Sequence, residues 1–221
     1  MRRLLIMAGV GGLLLSPFAG AVPVKPAKNQ IVYLDLQSKA NVKLKGPFHQ
    51  ADNDLAELPT GEQKLGGVKF KIGDRLIHLA GQNQVFQEFP EKVEGIKVER
   101  TFAKLHILHA AGLGPNTKDD VVIGRYIVHY QDKTKATIEI VYGKDVRDWW
   151  YRANTPGVSR GKVAWKGNNK LTRRETGAGI RLYLTTWKNP KPNKKVTSID
   201  FIATRAAGAA PFCIAMTVEG K

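Results

Sequence analysis

Disulfide bonding is excluded by arithmetic, because the 221 residues contain one cysteine, Cys213, and a single thiol has no partner within its own chain. Acidic side chains are also scarce: 19 stand against 35 lysines and arginines, leaving a formal charge of +16, to which Arg2 and Arg3 contribute two. A surface this basic attracts polyanions at low ionic strength. Sustained helical periodicity is missing as well, with no apolar 3.6-residue pattern running past about ten residues, which argues against a helical bundle. Catalytic signatures are equally thin. There is no phosphate-cradling loop or dinucleotide fingerprint, and neither Ser159 nor Ser198 has an obvious histidine partner. Cys213 lies in the alternating run 212–218 and reads as a small buried strand residue rather than a reactive thiol.

The N-terminus has the form of an export signal. Arg2 and Arg3 precede an apolar run from Leu4 to Leu15, and Ala19-Gly20-Ala21 supplies small residues for cleavage. That run, interrupted by Gly9, Gly11 and Gly12 and ended by Pro17, is short for a membrane span. The expected organisation is a signal peptide over 1–21, a flexible lead-in over 22–30 with Pro23 and Pro26, and a single domain over 31–221. The expected location is periplasmic or extracellular, with no transmembrane segment in the mature chain. Export makes cellular nucleic acid an unexpected physiological partner.

What the sequence has in abundance is short alternating runs. The clearest pair lies at 126–130 and 136–142, where Tyr126, Val128 and Tyr130 share one side of an extended backbone and Ala136, Ile138, Ile140 and Tyr142 do the same. This patterning predicts an antiparallel hairpin turning at Gln131–Thr134, although Asp132-Lys133 stand where a tight turn prefers glycine. Further strands are expected at 31–36, 68–72, 76–79, 95–99, 104–109, 163–165, 180–187, 196–203 and 212–218. Residues 45–67, punctuated by Pro47, Pro59, Gly61, Gly66 and Gly67, read as a long loop. His106 and His109 are three apart, a spacing that places them on opposite faces of a strand and so argues against a shared zinc ion. Asp52-Asn53-Asp54 carries oxygen donors of the kind calcium takes, and equally forms turns and caps. No other cofactor is expected. Together these runs predict an all-β fold, a two-sheet antiparallel β-sandwich of jelly-roll type.

The succession Leu58-Pro59-Thr60-Gly61, Gly66-Gly67-Val68-Lys69-Phe70, Leu105-His106-Ile107-Leu108-His109, Val141-Tyr142-Gly143-Lys144-Asp145-Val146-Arg147-Asp148-Trp149-Trp150, Thr186-Trp187-Lys188-Asn189-Pro190 and Ser198-Ile199-Asp200-Phe201 resembles the galactose-binding-like β-sandwich modules of exported bacterial proteins. The resemblance spans about residues 45–219. It implies carbohydrate binding, often with a structural calcium, and seldom catalysis.

Sugars present apolar C–H faces and hydroxyl rims, so a binding site needs flat rings beside amides, carboxylates or guanidinium groups. Trp149, Trp150, Trp165 and Trp187 all fall in the C-terminal half, with Asp145, Asp148, Asn168, Asn169 and Asn189 near them. Arg147 and Arg181 can fork onto a carboxylate or sulfate. Strand alternation favours one ring of the Trp149–Trp150 pair in the core and the other outside. The candidate ligand residues are therefore Asp145, Arg147, Asp148, Trp150, Trp165, Arg181, Trp187 and Asn189. The expected function is non-catalytic binding of a polysaccharide or another acidic envelope polymer. The alternative is a structural or protein-interaction module of the envelope, in which all four tryptophans are core. An enzyme built on Asp145 and Asp148 as a glycosidase pair is a third reading.

Overall fold

The computed structural model describes residues 30–82 and 88–220; the expected export segment and the lead-in up to residue 29 lie outside them. Among the described residues the regular elements are strands and two 3-10 turns. In chain order the strands are β1 (Ile31–Tyr33), β2 (Val42–Lys43), β3 (Gly61–Leu65), β4 (Val68–Ile72), β5 (Arg75–His78), β6 (Lys92–Arg100) and β7 (Lys104–Gly112). They continue with β8 (Val122–Tyr130), β9 (Lys135–Val141), β10 (Trp150–Tyr151), β11 (Lys162–Gly167), β12 (Gly179–Lys188), β13 (Val196–Ala203) and β14 (Ala210–Glu219). No described helix is long and apolar enough to cross a membrane.

The strands form antiparallel sheets that are partly curled. The larger has the order β10-β12-β7-β14-β5-β2, with β11 also on β12 and β1 also on β14; the second runs β6-β13-β8-β9. Side chains from both contribute to one buried cluster. Tyr126 of β8 reaches His109 of β7 across it, hydroxyl to Nδ1 at 3.4 Å. Each strand of the second sheet alternates as a half-buried ribbon should, with Tyr126, Val128, Tyr130, Ile199 and Phe201 inward. By contrast β14 is buried on both sides along nearly its whole length. Cys213 is fully covered there, and burial pushes its thiol up to about 12, which makes it inert at neutral pH.

The predicted β8–β9 hairpin is present, with Val128 opposite Ala136 and Tyr126 opposite Ile138. Lys133 adopts the left-handed conformation, φ 66°, and the Asp132 carboxylate accepts from the Thr134 amide at 3.1 Å and the Thr134 hydroxyl at 2.6 Å. These local bonds stand in for the missing glycine. The expectation of a continuous loop over 45–67 is corrected: β3 occupies its last part and pairs with β4 through the Gly66-Gly67 turn, φ 56° and 84°. Its sequence, Gly-Glu-Gln-Lys-Leu, buries Leu65 alone, so it carries almost no periodic apolar signal.

His106 and His109 do face opposite sides of β7. His106 bonds Thr186 Oγ1 at 2.8 Å and Glu219 at 3.1 Å, while His109 bonds Thr185 Oγ1 at 2.9 Å.

Candidate functional site

After β9 the chain makes a tight detour that positions everything of interest. Gly143, at φ 82°, lies against the Asp119 carboxylate, where a Cβ would come within 2.6 Å of Cγ. Asp145 then folds back, its Oδ2 accepting from the Val141 amide at 2.8 Å. Residues 147–149 thread between two strands of the large sheet: the Trp149 amide donates to the Ala111 carbonyl at 2.8 Å, and its own carbonyl accepts from Arg181 at 2.7 Å. A strand-like stitch of this kind sends alternate side chains opposite ways. Trp149 goes inward, 1% exposed, stacking on Phe48 at 5.0 Å and meeting Phe212 edge-on at 6.0 Å. Asp148 and Trp150 turn outward.

Outward there is a cleft of about 610 Å³. His49, Gln50 and Asn53 line one side, Leu113, Pro115 and Thr117 a second, and Tyr142, Arg147, Asp148, Trp150, Tyr151, Arg152, Asn154, Thr155 and Pro156 the remainder, with the buried Trp149 at the floor. Trp150 is half-buried, and its indole N–H donates to Asn53 Oδ1 at 2.8 Å; Asn53 is itself held by the Asn169 amide at 3.0 Å. Tyr151 is also half-buried and has cations over its ring, Lys166 at 5.2 Å and Arg181 at 5.3 Å. Such contacts fix an aromatic ring without consuming its whole surface.

Asp148 ties two walls of the cleft together. Oδ2 accepts from the Gly114 amide at 2.6 Å and Oδ1 from the Trp150 amide at 2.8 Å. Gly114 must be glycine, since a Cβ would lie 2.9 Å from the Tyr142 ring and 3.3 Å from Asp148. Burial pushes the Asp148 carboxyl up to about 6, against the pull of the two amides and the charge of Arg181. His49 is moved the other way, down to about 4, by burial alone.

The cations expected to grip a ligand are differently employed. Arg147 makes a bidentate pair with Asp119, both contacts 2.7 Å, and donates from Nε to the Gly157 carbonyl at 2.7 Å. Arg181 is buried between the rings of Tyr151 and Tyr183, 5.3 Å from each, with Nε unpartnered among the described residues. It supports the cleft from behind. Arg152 pairs with Glu175 at the exposed rim.

Of the residues singled out from sequence, Arg147, Asp148 and Trp150 meet in the cleft and Arg181 underlies it. The other four lie elsewhere. Asp145 is fully buried, paired to Arg160 at 2.5 and 2.6 Å, and does not line the cleft that holds Asp148, so the two carboxylates do not share one site. Trp165 is packed over Gly167, where a Cβ would sit 2.4 Å from its ring. Trp187, half-buried at the end of β12, meets Phe102 at 6.4 Å. Asn189 is a structural cap: Oδ1 accepts from the Tyr130 hydroxyl at 2.6 Å and the Lys191 amide at 2.9 Å, while Nδ2 donates to the Phe102 carbonyl at 3.0 Å. The acidic loop is committed too, with Asp52 paired to Lys170 and Arg174 and Asp54 accepting from the Ala56 amide.

His49, Gln50, Tyr142, Tyr151, Arg152 and Asn154 were not singled out. Tyr151 directly follows the tryptophan pair, and that adjacency was the available signal. His49 and Gln50 come from a distant irregular segment, which no local pattern connects to the cleft. Compared with family models, curated proteins and solved structures, the chain matches none of them.

Proposed function

We propose that this is an exported, non-catalytic module that binds carbohydrate in the cleft beside Asp148. The observation that carries this reading is the pairing of two half-buried rings, Trp150 and Tyr151, with a rim of hydrogen-bonding groups, Gln50, Thr117, Arg152 and Asn154, in one concavity. Rings offer a surface for sugar C–H faces, and the rim offers partners for hydroxyls. Asp148, oriented by two backbone amides, supplies a fixed acceptor for a hydroxyl donor. The curled antiparallel sheets support a jelly-roll-like sandwich of the galactose-binding-like type, with the cleft among its end loops. Removal of the segment ending near Ala21 would deliver the domain to the periplasm or medium.

Asp148 is the cleft's carboxylate among the described residues that line it, and its former partner in the glycosidase reading, Asp145, is neutralised elsewhere. Binding therefore accounts for the site better than two-carboxylate hydrolysis.

Calorimetric titration with a panel of neutral and acidic oligosaccharides tests this. Millimolar or tighter binding by one of them, weakened about tenfold by Trp150→Ala, is expected. Absence of saccharide binding, or binding indifferent to Trp150→Ala, overturns the reading and favours a protein-interaction module.

A further inference from the structure

A cluster of positive charge that the cleft does not use lies on the β3–β4 hairpin. The inner face of that hairpin is anchored: Phe70 and Ile72 are buried, and the Lys69 carbonyl accepts from Thr217 Oγ1 on β14 at 2.9 Å. Its outer face carries Glu62, Lys64, Lys69 and Lys71, all exposed. Lys64 lies directly opposite Lys69 in the ladder, a like-charge pairing that works against sheet formation. Lys71 faces Glu62, and Glu62 also interacts with the Tyr33 hydroxyl, whose proton is held more tightly by burial first and by Glu62 second. At the turn, the Gly66 amide donates to the Ala164 carbonyl at 3.2 Å, which ties the hairpin to β11. Strand geometry spaces the β-carbons that carry these side chains about 7 Å along a strand and about 5 Å across the pair.

We propose that this lysine face is a second contact surface, independent of the cleft, for an extended acidic polysaccharide. Charge complementarity names a polyanion, and the composition of the face narrows it. None of the four outer residues is aromatic, so nucleic-acid bases find no stacking platform. All of its cations are lysines, point charges suited to a charged chain rather than arginine forks suited to base edges. No apolar side chain accompanies them for insertion into lipid: among the described residues the exposed large hydrophobic is Ile31. A firmly seated ribbon with three lysines on its outer face fits a linear polymer carrying one carboxylate or sulfate per sugar ring.

The test measures retention on immobilised polygalacturonate against salt. Lys64→Gln/Lys69→Gln/Lys71→Gln is expected to weaken binding about tenfold at low salt and lower the salt slope by about two to three, one for each ammonium group removed. The control triple Lys118→Gln/Lys133→Gln/Lys135→Gln removes the same charge from exposed sites elsewhere and should change binding less than about twofold. Unaltered circular dichroism verifies folding of both triples. Equal losses in the two would mean net charge alone is responsible, and would overturn the proposal. So would tighter binding of single-stranded DNA or anionic vesicles through the same lysines. Trp150→Ala should leave retention unchanged, so failure of the cleft reading and failure of this one are distinguishable.

Discussion

The segment from Tyr142 to Tyr151 has two sides with opposite characters. On the inward side, Asp145 is fully buried yet neutralised by Arg160, and Trp149 is stacked in the core. On the cleft side, the Asp148 carboxylate accepts from two backbone amides, those of Gly114 and Trp150, and Trp150 is left half-exposed with its indole N–H spent on Asn53. Carboxylates three residues apart thus meet different fates. One closes the fold, and the other is kept titratable at a water-facing wall. Such a contrast teaches that proximity in sequence is a poor guide to shared chemistry, because the partner that decides each role arrives from another part of the chain.

The largest effect is expected on the inward side. Trp149→Ala removes a stacked ring from among Phe48 and Phe212 and should cost about 4 kcal/mol in chemical denaturation; a loss under about 1 kcal/mol would erase the distinction between the two sides. Asp145→Ala comes next. It strands the Val141 amide and leaves Arg160 without its counterion, for about 3 kcal/mol. Part of the guanidinium is exposed, so water compensates for some of the missing pairing.

Asp148 should show itself through pH. Its folded pKa of about 6 lies above the ordinary carboxyl value, so the native state holds this proton more tightly than the unfolded chain. The resulting stabilisation is fully present below about pH 4 and is lost as pH rises through about 6. The folded protein with Asp148→Asn lacks this component, and wild type should therefore gain about 2 kcal/mol relative to the variant between pH 7 and pH 4. His49, depressed to about 4, acts with opposite sign: its contribution is present above about pH 6.5 and declines in acid. It is common to both proteins, so the difference between them isolates Asp148. A difference that stays flat across this range would show that burial does not shift the carboxyl.

Much of the inward side was legible from alternation alone. Period-two runs marked β8, β9, β12, β13 and β14, and the same reasoning separated Trp149 from Trp150. Harder cases shared a physical cause. β3 buries one apolar side chain and so resembles a loop, and Asn189 looked like a sugar-binding amide because nothing in its neighbourhood of sequence reveals the Tyr130 hydroxyl and Phe102 carbonyl that engage it. Likewise Asp145 and Asp148 differ through Arg160 and Gly114, one 15 residues ahead and the other 34 behind. Ligand roles depend on such long-range arrivals, whereas strand roles depend on neighbours.

Trp150→Ala should have the smallest effect on folding and the most informative. The ring is half-buried and packs at the edge of the core, so its loss should cost about 1 to 2 kcal/mol, well short of Trp149. The freed Asn53 oxygen still accepts from Asn169, which limits the polar penalty. A fall as large as that of Trp149→Ala would mean the indole is a structural plug and the cleft an accident of packing. A small fall, together with an intact near-ultraviolet dichroism from the remaining tryptophans, would leave a folded protein lacking one cleft wall. In that protein, any drop in saccharide affinity is attributable to the missing ring rather than to a disturbed fold.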